Sequence, residues 1–121
     1  MASILLVEDS DMIQKVVDRL LSRKGHDVRI AGSVREAVEG MREGTYDLIL
    51  MDLNLPDARG EAAVSFLRDV MKVSTPVVVI SSEIKVDTVF ELQPYGISAF
   101  VAKSEDFVAR LSEEVDKALS G

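Results

Sequence analysis

Three continuous apolar runs end in side chains that carry oxygen. Ile4-Leu5-Leu6-Val7 leads into Glu8-Asp9, Leu48-Ile49-Leu50-Met51 into Asp52, and Val77-Val78-Val79-Ile80 into Ser81-Ser82, while a fourth run, Phe100-Val101-Ala102, ends at Lys103. Runs without polar alternation suit strands buried on both faces, as in a parallel sheet covered by helices. The carboxyl ends of such strands share one rim, and ligands bind there. If these strands lie side by side, three carboxylates, a hydroxyl and an ammonium converge in one pocket, a set suited to a divalent cation and a phosphoryl group.

The segments between the runs have helical period, which predicts repeated βα units. Ile13, Val16, Val17, Leu20 and Leu21 mark one face of a first helix that Ser10 can cap and Gly25 can end. His26 to Ile30 alternates polar and apolar and reads as a half-exposed outer strand. Ser33 and Glu36 form a capping-box pattern before Val34, Ala37, Val38 and Met41, although Gly40 weakens that helix by about 1 kcal/mol. Pro56 and Gly60 bracket a turn-rich loop after Asp52, followed by an inward stripe of Ala63, Phe66, Leu67 and Val70. Pro76 opens the fourth strand, and Ile84 to Leu92 can form a short helix closed by Pro94 and Gly96. Ser104 can cap a last helix, with Glu105 and Asp106 in its first turn and Phe107, Val108, Leu111, Val115 and Leu119 facing inward.

Length and composition limit what this unit can be. The 121 residues suit a single domain over 1–121, and the absence of cysteine excludes disulfides and thiolate metal sites. No apolar stretch reaches the eighteen or so residues of a membrane span, and no signal-peptide n-region precedes the first strand, so a cytoplasmic protein that does not enter the membrane is expected. Fourteen basic against twenty-one acidic residues give a formal charge of −7 without a Lys/Arg cluster, which argues against direct binding of nucleic acid.

Taken singly, each rim residue has a bland reading: Asp9 as a helix cap, Ser81 as a turn former, Phe100 as core, Lys103 as a solvated lysine. Together they ask for more. Two carboxylates about 4 Å apart repel by about 4 kcal/mol at an effective dielectric of 20. Capping does not require that cost, whereas a cation site does. Only oxygen ligands are available and no EF-hand loop is present, so Mg²⁺ is the natural ion. A carboxylate can also attack phosphorus to form an acyl phosphate, and Asp52, on a strand tip before a sharp loop, is the best placed to do so. Mg²⁺ and Lys103 would offset the incoming charge while Ser81 donates a hydrogen bond.

The joint pattern of Ile4 to Asp9, Leu50 to Pro56 with Gly60, Pro76 to Ser81 and Phe100 to Lys103 resembles the receiver domain of two-component response regulators, over essentially the entire chain. The resemblance implies an α/β, flavodoxin-like (βα)5 three-layer sandwich with a parallel five-stranded sheet of order 2-1-3-4-5. It also implies that Glu8 and Asp9 hold Mg²⁺ with Asp52, the phosphoacceptor, and with the backbone carbonyl of Asn54. Ser81 matches the switch hydroxyl, Phe100 the rotameric switch aromatic and Lys103 the phosphate-binding lysine, while Asn54 and Glu83 sit where phosphoryl lifetime is tuned. The expected donor is a sensor histidine kinase or histidine phosphotransfer protein. A downstream protein would be engaged through the fourth helix, fifth strand and fifth helix, by a monomer or by a dimer formed on phosphorylation. The chain's own His26 lies before the second strand, at the edge opposite the rim, and is a poor donor.

One departure stands out. The family usually follows its lysine with a cis proline, but Ser104 stands here, and a cis bond before a non-proline residue costs about 2.5 to 4 kcal/mol, so a trans peptide is expected. An aspartate-nucleophile phosphatase of the haloacid dehalogenase type fits poorly, because Asn54 holds the place of its second Asp and there is no room for a cap domain. A flavin carrier would suffer repulsion between Glu8-Asp9 and the flavin phosphate. A receiver-fold interaction module that signals without phosphate is the remaining alternative. With no output segment after the last helix, the expectation is a stand-alone receiver or the receiver part of a longer regulator.

Overall fold

A computed structural model describes residues 1–120. The four apolar runs and the alternating segment all become strands: β1 (Ser3–Val7), β2 (Asp27–Ala31), β3 (Leu48–Asp52), β4 (Val77–Ser81) and β5 (Ile97–Ala102). They form one sheet of order β2-β1-β3-β4-β5, parallel throughout. The helices are α1 (Asp11–Arg23), α2 (Val34–Glu43), α3 (Gly60–Asp69), α4 (Val86–Leu92) and α5 (Phe107–Ser120), with a short 3₁₀ turn at Gln93–Tyr95.

Successive residues of a strand face opposite sides, and the two cores divide by that rule. Leu5, Val7, Ile49, Met51, Val77 and Val79 pack with Ala37 of α2, Ala63, Val64 and Leu67 of α3, and Leu92 of α4. Ile4, Leu6, Leu48, Leu50, Val78 and Ile80 pack with Val17 and Leu21 of α1 and Leu111 and Val115 of α5. Strands β3 and β4 are buried at every position, whereas β2, at the sheet edge, buries only Ala31 fully. The three-layer sandwich is thus written in the alternation of apolar side chains.

Local signals hold where they concern the backbone. Ser10 Oγ accepts from the Ile13 N–H, Ser33 Oγ accepts from the Glu36 N–H, and Gly25 takes a φ of 87° just after α1. Gly40 has a packing reason for its cost: a Cβ there would lie 3.3 Å from Arg29 Nε and from Tyr46 Oη, and the Tyr46 hydroxyl donates to the Gly40 carbonyl.

Several expectations need correction. Val16, Phe66 and Val108, assigned inward by period, are exposed at the margins of their helices' apolar stripes, and Val70 is exposed because it falls just past the end of α3. The short helix begins at Val86 rather than Ile84 and ends in the 3₁₀ turn before Gly96, whose φ is 67°. Helix α5 begins at Phe107, so Glu105 and Asp106 precede it, and the Ser104 hydroxyl donates to Asp106 Oδ1 instead of capping a backbone N–H. No cis peptide occurs among the described residues, so Lys103–Ser104 is trans, as the absence of proline predicts.

Candidate functional site

Strand register builds the rim. Val7 pairs with Met51, so Glu8 and Asp52 follow at the same level on adjacent strands. Ser81 pairs with Ala102, and the Lys103 N–H donates to the Ser81 carbonyl, which continues the ladder one residue past the last strand pair. On the other side, the Glu8 N–H donates to the Ala31 carbonyl.

The side chains then converge. Carboxylate oxygens of Glu8, Asp9 and Asp52 lie within 4.8 Å of one another. Lys103 reaches between two of them, its Nζ 2.6 Å from Glu8 Oε1 and 3.4 Å from Asp52 Oδ2. Glu8 and Asp52 are buried, while Asp9 is open to solvent. The Ser10 N–H donates to Glu8 Oε2, and the Gln14 amide donates to the Glu8 carbonyl at 2.6 Å, which fixes the β1–α1 turn. The Asn54 N–H donates to Asp52 Oδ1, so each oxygen of Asp52 has one partner.

Charge in this cluster is out of balance. At 4.8 Å and an effective dielectric of 20, each carboxylate pair repels by about 3 kcal/mol, and one ammonium offsets only part of that. Burial raises the Glu8 pKa above its ordinary 4.5, Lys103 and the Ser10 N–H pull it down, Asp52 pushes it up, and the net direction is upward. Glu8 Oε1 makes no aligned hydrogen bond; its close approach to Lys103 is an ion-pair contact off the hydrogen-bond direction. An all-oxygen set of three carboxylates that share a single ammonium fits a hard divalent cation such as Mg²⁺.

The remaining residues of interest sit beside this cluster. Ser81, buried at the tip of β4, donates its hydroxyl to the Glu83 carbonyl at 3.0 Å and accepts from the Glu83 N–H, so in this state it serves the β4–α4 turn. Phe100, paired with Val79, is half-buried against the α2/α3/α4 core. Asn54 points its side chain into the open, and His26 accepts from the Ala2 N–H at the opposite edge of the sheet.

The loop after Asp52 contains features that sequence reading missed. Gly60 donates its N–H to the Leu53 carbonyl, and a Cβ there would fall 2.4 Å from Leu53 Cα, so only glycine closes this loop. Asp57 accepts from the Val34 and Arg35 N–H groups at 2.9 and 3.0 Å. Arg59 contacts Glu61 at 3.5 Å and Glu91 at 3.4 Å, and the Thr88 hydroxyl donates to Glu61, so the loop and α3 are tied to α4 beside a cleft of about 440 Å³. Only Gly60 left a signal, as one end of a turn-rich segment. Apart from Arg59–Glu61, the other contacts join segments far apart in the chain.

Comparison with known proteins bears on the family and the fold. Residues 4–115 match the model of the response regulator receiver domain. The chain is 31% identical to the cell cycle transcriptional regulator CtrA of Caulobacter vibrioides over 89% of its own length and 48% of CtrA. It is 33% identical to the response regulator protein PilR of Pseudomonas aeruginosa over 95% of its own length and 25% of PilR. It therefore spans about half or less of these relatives. Among solved structures, the chemotaxis response regulator CheY4 of Vibrio cholerae superposes with a TM-score of 0.88 at 26% identity, covering 98% of this chain and 99% of that one.

Proposed function

This chain belongs to the response regulator receiver family, a family of signalling domains, and from that premise we propose that Asp52 accepts a phosphoryl group from a phosphohistidine partner and thereby switches the binding of a second protein. The observation that carries the proposal is the meeting of Lys103 with Asp52 and Glu8 inside a cluster of three carboxylates. Glu8, Asp9, Asp52 and the Asn54 carbonyl would hold Mg²⁺, which when bound supplies positive charge to the phosphoryl oxygens.

The chain's own groups orient the acceptor. The Asn54 N–H on Oδ1 and Lys103 on Oδ2 fix the rotation of the Asp52 carboxylate. An Asp52 oxygen forms the new bond to phosphorus as the phosphorus–nitrogen bond of the donor breaks, and the imidazole leaves to take up a proton. Lys103 then balances charge on the phosphoryl oxygens.

Switching follows from the state of Ser81. Its bond to the Glu83 carbonyl is neutral and worth about 1 kcal/mol, whereas a bond to a phosphoryl oxygen is charge-assisted and worth about 1.5–3 kcal/mol. Moving the hydroxyl frees the Ser82–Glu83 turn that leads into α4 and opens space for Phe100. Full conversion from 1:99 to 99:1 needs about 5.5 kcal/mol, so this exchange alone gives a partial shift. The face made by α4, β5 and α5, where Val86 and Phe90 are exposed, is the output surface, used by a monomer or by a dimer formed on phosphorylation.

Incubation with acetyl phosphate and Mg²⁺ followed by intact mass measurement tests the acceptor. The expected result is one added phosphoryl group in wild type and none in Asp52→Ala. Unchanged wild-type mass, or equal labelling of the variant, would reject it.

A further inference from the structure

We propose that Asp57 is a positioning residue for the metal-binding loop: by clasping the N-terminus of α2, it holds the segment that follows Asp52 in the shape that presents the Asn54 carbonyl. The inference rests on the metal reading above.

The clasp is bidentate. Asp57 Oδ1 accepts from the Val34 N–H at 2.9 Å and Oδ2 from the Arg35 N–H at 3.0 Å. These are the first two helical residues of α2, whose N–H groups have no partner within the helix. The third, Glu36, donates to Ser33 Oγ, and the Ala37 N–H makes the first intrahelical bond to the Ser33 carbonyl. Every donor of the first turn is thereby satisfied, but by two devices of different reach. Ser33 is local, whereas Asp57 comes from 22 and 23 residues away and belongs to the loop that begins at Asp52. Both oxygens of Asp57 are occupied, and these bonds hold its pKa below the ordinary 3.8, so the clasp is charge-assisted. Asp57 stands outside the cluster of Glu8, Asp9 and Asp52, so it is not a ligand in waiting.

The loop needs such an anchor. Its base is closed by Gly60 N–H to the Leu53 carbonyl and by the bridge between Asn54 and Arg59. Its outer part runs from Leu55 to Ala58: Leu55 is half-buried against the core and supplies an apolar contact, while Pro56 and Asp57 are exposed, so beyond Leu55 the loop is held by polar contacts. Asp57 is the residue of that outer part whose side chain bonds to another element, and it lies three positions beyond Asn54. A carboxylate that merely completed a helix cap would stabilise α2 and leave the metal site alone.

The test compares Mg²⁺ titrations followed by amide NMR shifts in wild type, Asp57→Ala, Val34→Pro and Ser33→Ala. Asp57→Ala is expected to weaken Mg²⁺ binding about tenfold, the scale for loss of an outer-shell support. Val34→Pro removes one of the two donors while keeping the fold, because proline is accepted at the first helical position and Ser33, with φ −156° and ψ 167°, already has the extended backbone proline requires of its predecessor. It should give an intermediate loss. Ser33→Ala removes the other cap of the same helix and should lower stability without changing Mg²⁺ affinity. Mg²⁺ affinity unchanged in Asp57→Ala, or lowered as much in Ser33→Ala, would overturn the inference alone. Wild type with no Mg²⁺-induced shift at Glu8, Asp9 or Asp52 would overturn the metal reading and this inference together.

Discussion

Replacing Gly60 by alanine puts a methyl group where the loop after Asp52 has no room. The new Cβ would lie 2.4 Å from Leu53 Cα, 2.7 Å from the Asp52 carbonyl oxygen and 2.7 Å from Leu53 Cδ2. Carbon atoms settle about 3.5–4.0 Å apart, so the loop must move by about 1 Å, and two of the three obstacles are backbone that no rotamer change can clear. Overpacking of this kind costs about 1–3 kcal/mol, here toward the upper end, while alanine returns up to about 1 kcal/mol at a helical position. The net loss is about 2 kcal/mol, or about 5–10 °C in Tm for a domain of this size. The atoms pushed are those of Asp52 and Leu53, so the damage should reach chemistry as well as stability. Gly44→Ala is the control: nothing lies within 4 Å of its Cβ, and its φ of −165° is open to any residue. Urea unfolding together with acetyl phosphate labelling measures both effects. Gly60→Ala with the stability and labelling rate of Gly44→Ala would refute the claim that this position fixes the loop.

Three further outcomes follow from the contacts described. Because burial raises the Glu8 carboxyl above its ordinary value of 4.5, the fold favours its protonated form; that contribution is full below 4.5 and fades as pH rises through the raised value, so without metal the protein should lose stability with rising pH above 4.5. Glu8→Gln should flatten that limb in denaturant unfolding measured across pH, and an unaltered slope would contradict the assignment. Arg68 donates to the carbonyls of Tyr95, Val73 and Thr75 at 2.9, 2.9 and 2.8 Å, so Arg68→Ala should cost about 2–4 kcal/mol in urea unfolding, and Arg68→Lys should recover only part of it because an ammonium lacks the planar fork. Arg59→Ala removes two ion pairs of an exposed side chain, which leaves global stability within about 1 kcal/mol but should speed amide hydrogen exchange in α4; unchanged exchange there would mean that α4 is held by other contacts.

The parts of the fold written in the sequence are those set by short-range period. Unbroken apolar runs gave β1, β3, β4 and the end of β5, alternation gave the edge strand β2, and the ends of the apolar runs put Glu8, Asp9, Asp52 and Lys103 at one rim. Helix margins were less legible. Val16, Phe66 and Val108 fit a 3.6-residue stripe, yet whether a margin residue is covered depends on the neighbouring element, which period does not encode, and Val70 fits the same period although α3 ends one residue before it. The site shows the same division. The carboxylates and the lysine are brought together by strand register, which local patterns determine, whereas the clasp of Asp57 on α2 and the tie from Arg59 to Glu91 depend on how loops fold back. Ser104 illustrates the limit at close range: a cap was expected, but its hydroxyl found a charged acceptor two residues away.

These attachments are unequal, and the inequality suits a switch. Helix α1 is capped by Ser10 and anchored by Val17 and Leu21, α2 is held by Ser33 and Asp57, and α5 buries Phe107, Leu111 and Val115. Helix α4 is short, has no side-chain cap and buries Leu92 alone; its other ties run through Thr88 and Glu91 to Glu61 and Arg59. Polar ties at a surface are worth little beside buried apolar area, so α4 is the element that the least free energy would move. It also follows directly from the turn whose carbonyl holds Ser81. A gain of a few kcal/mol at Asp52 therefore need not disturb the two cores. On the proposed reading it would have only to draw one hydroxyl away from Glu83 to act on the segment with the fewest apolar anchors, so that a rigid sheet and a movable α4 would belong to one small domain.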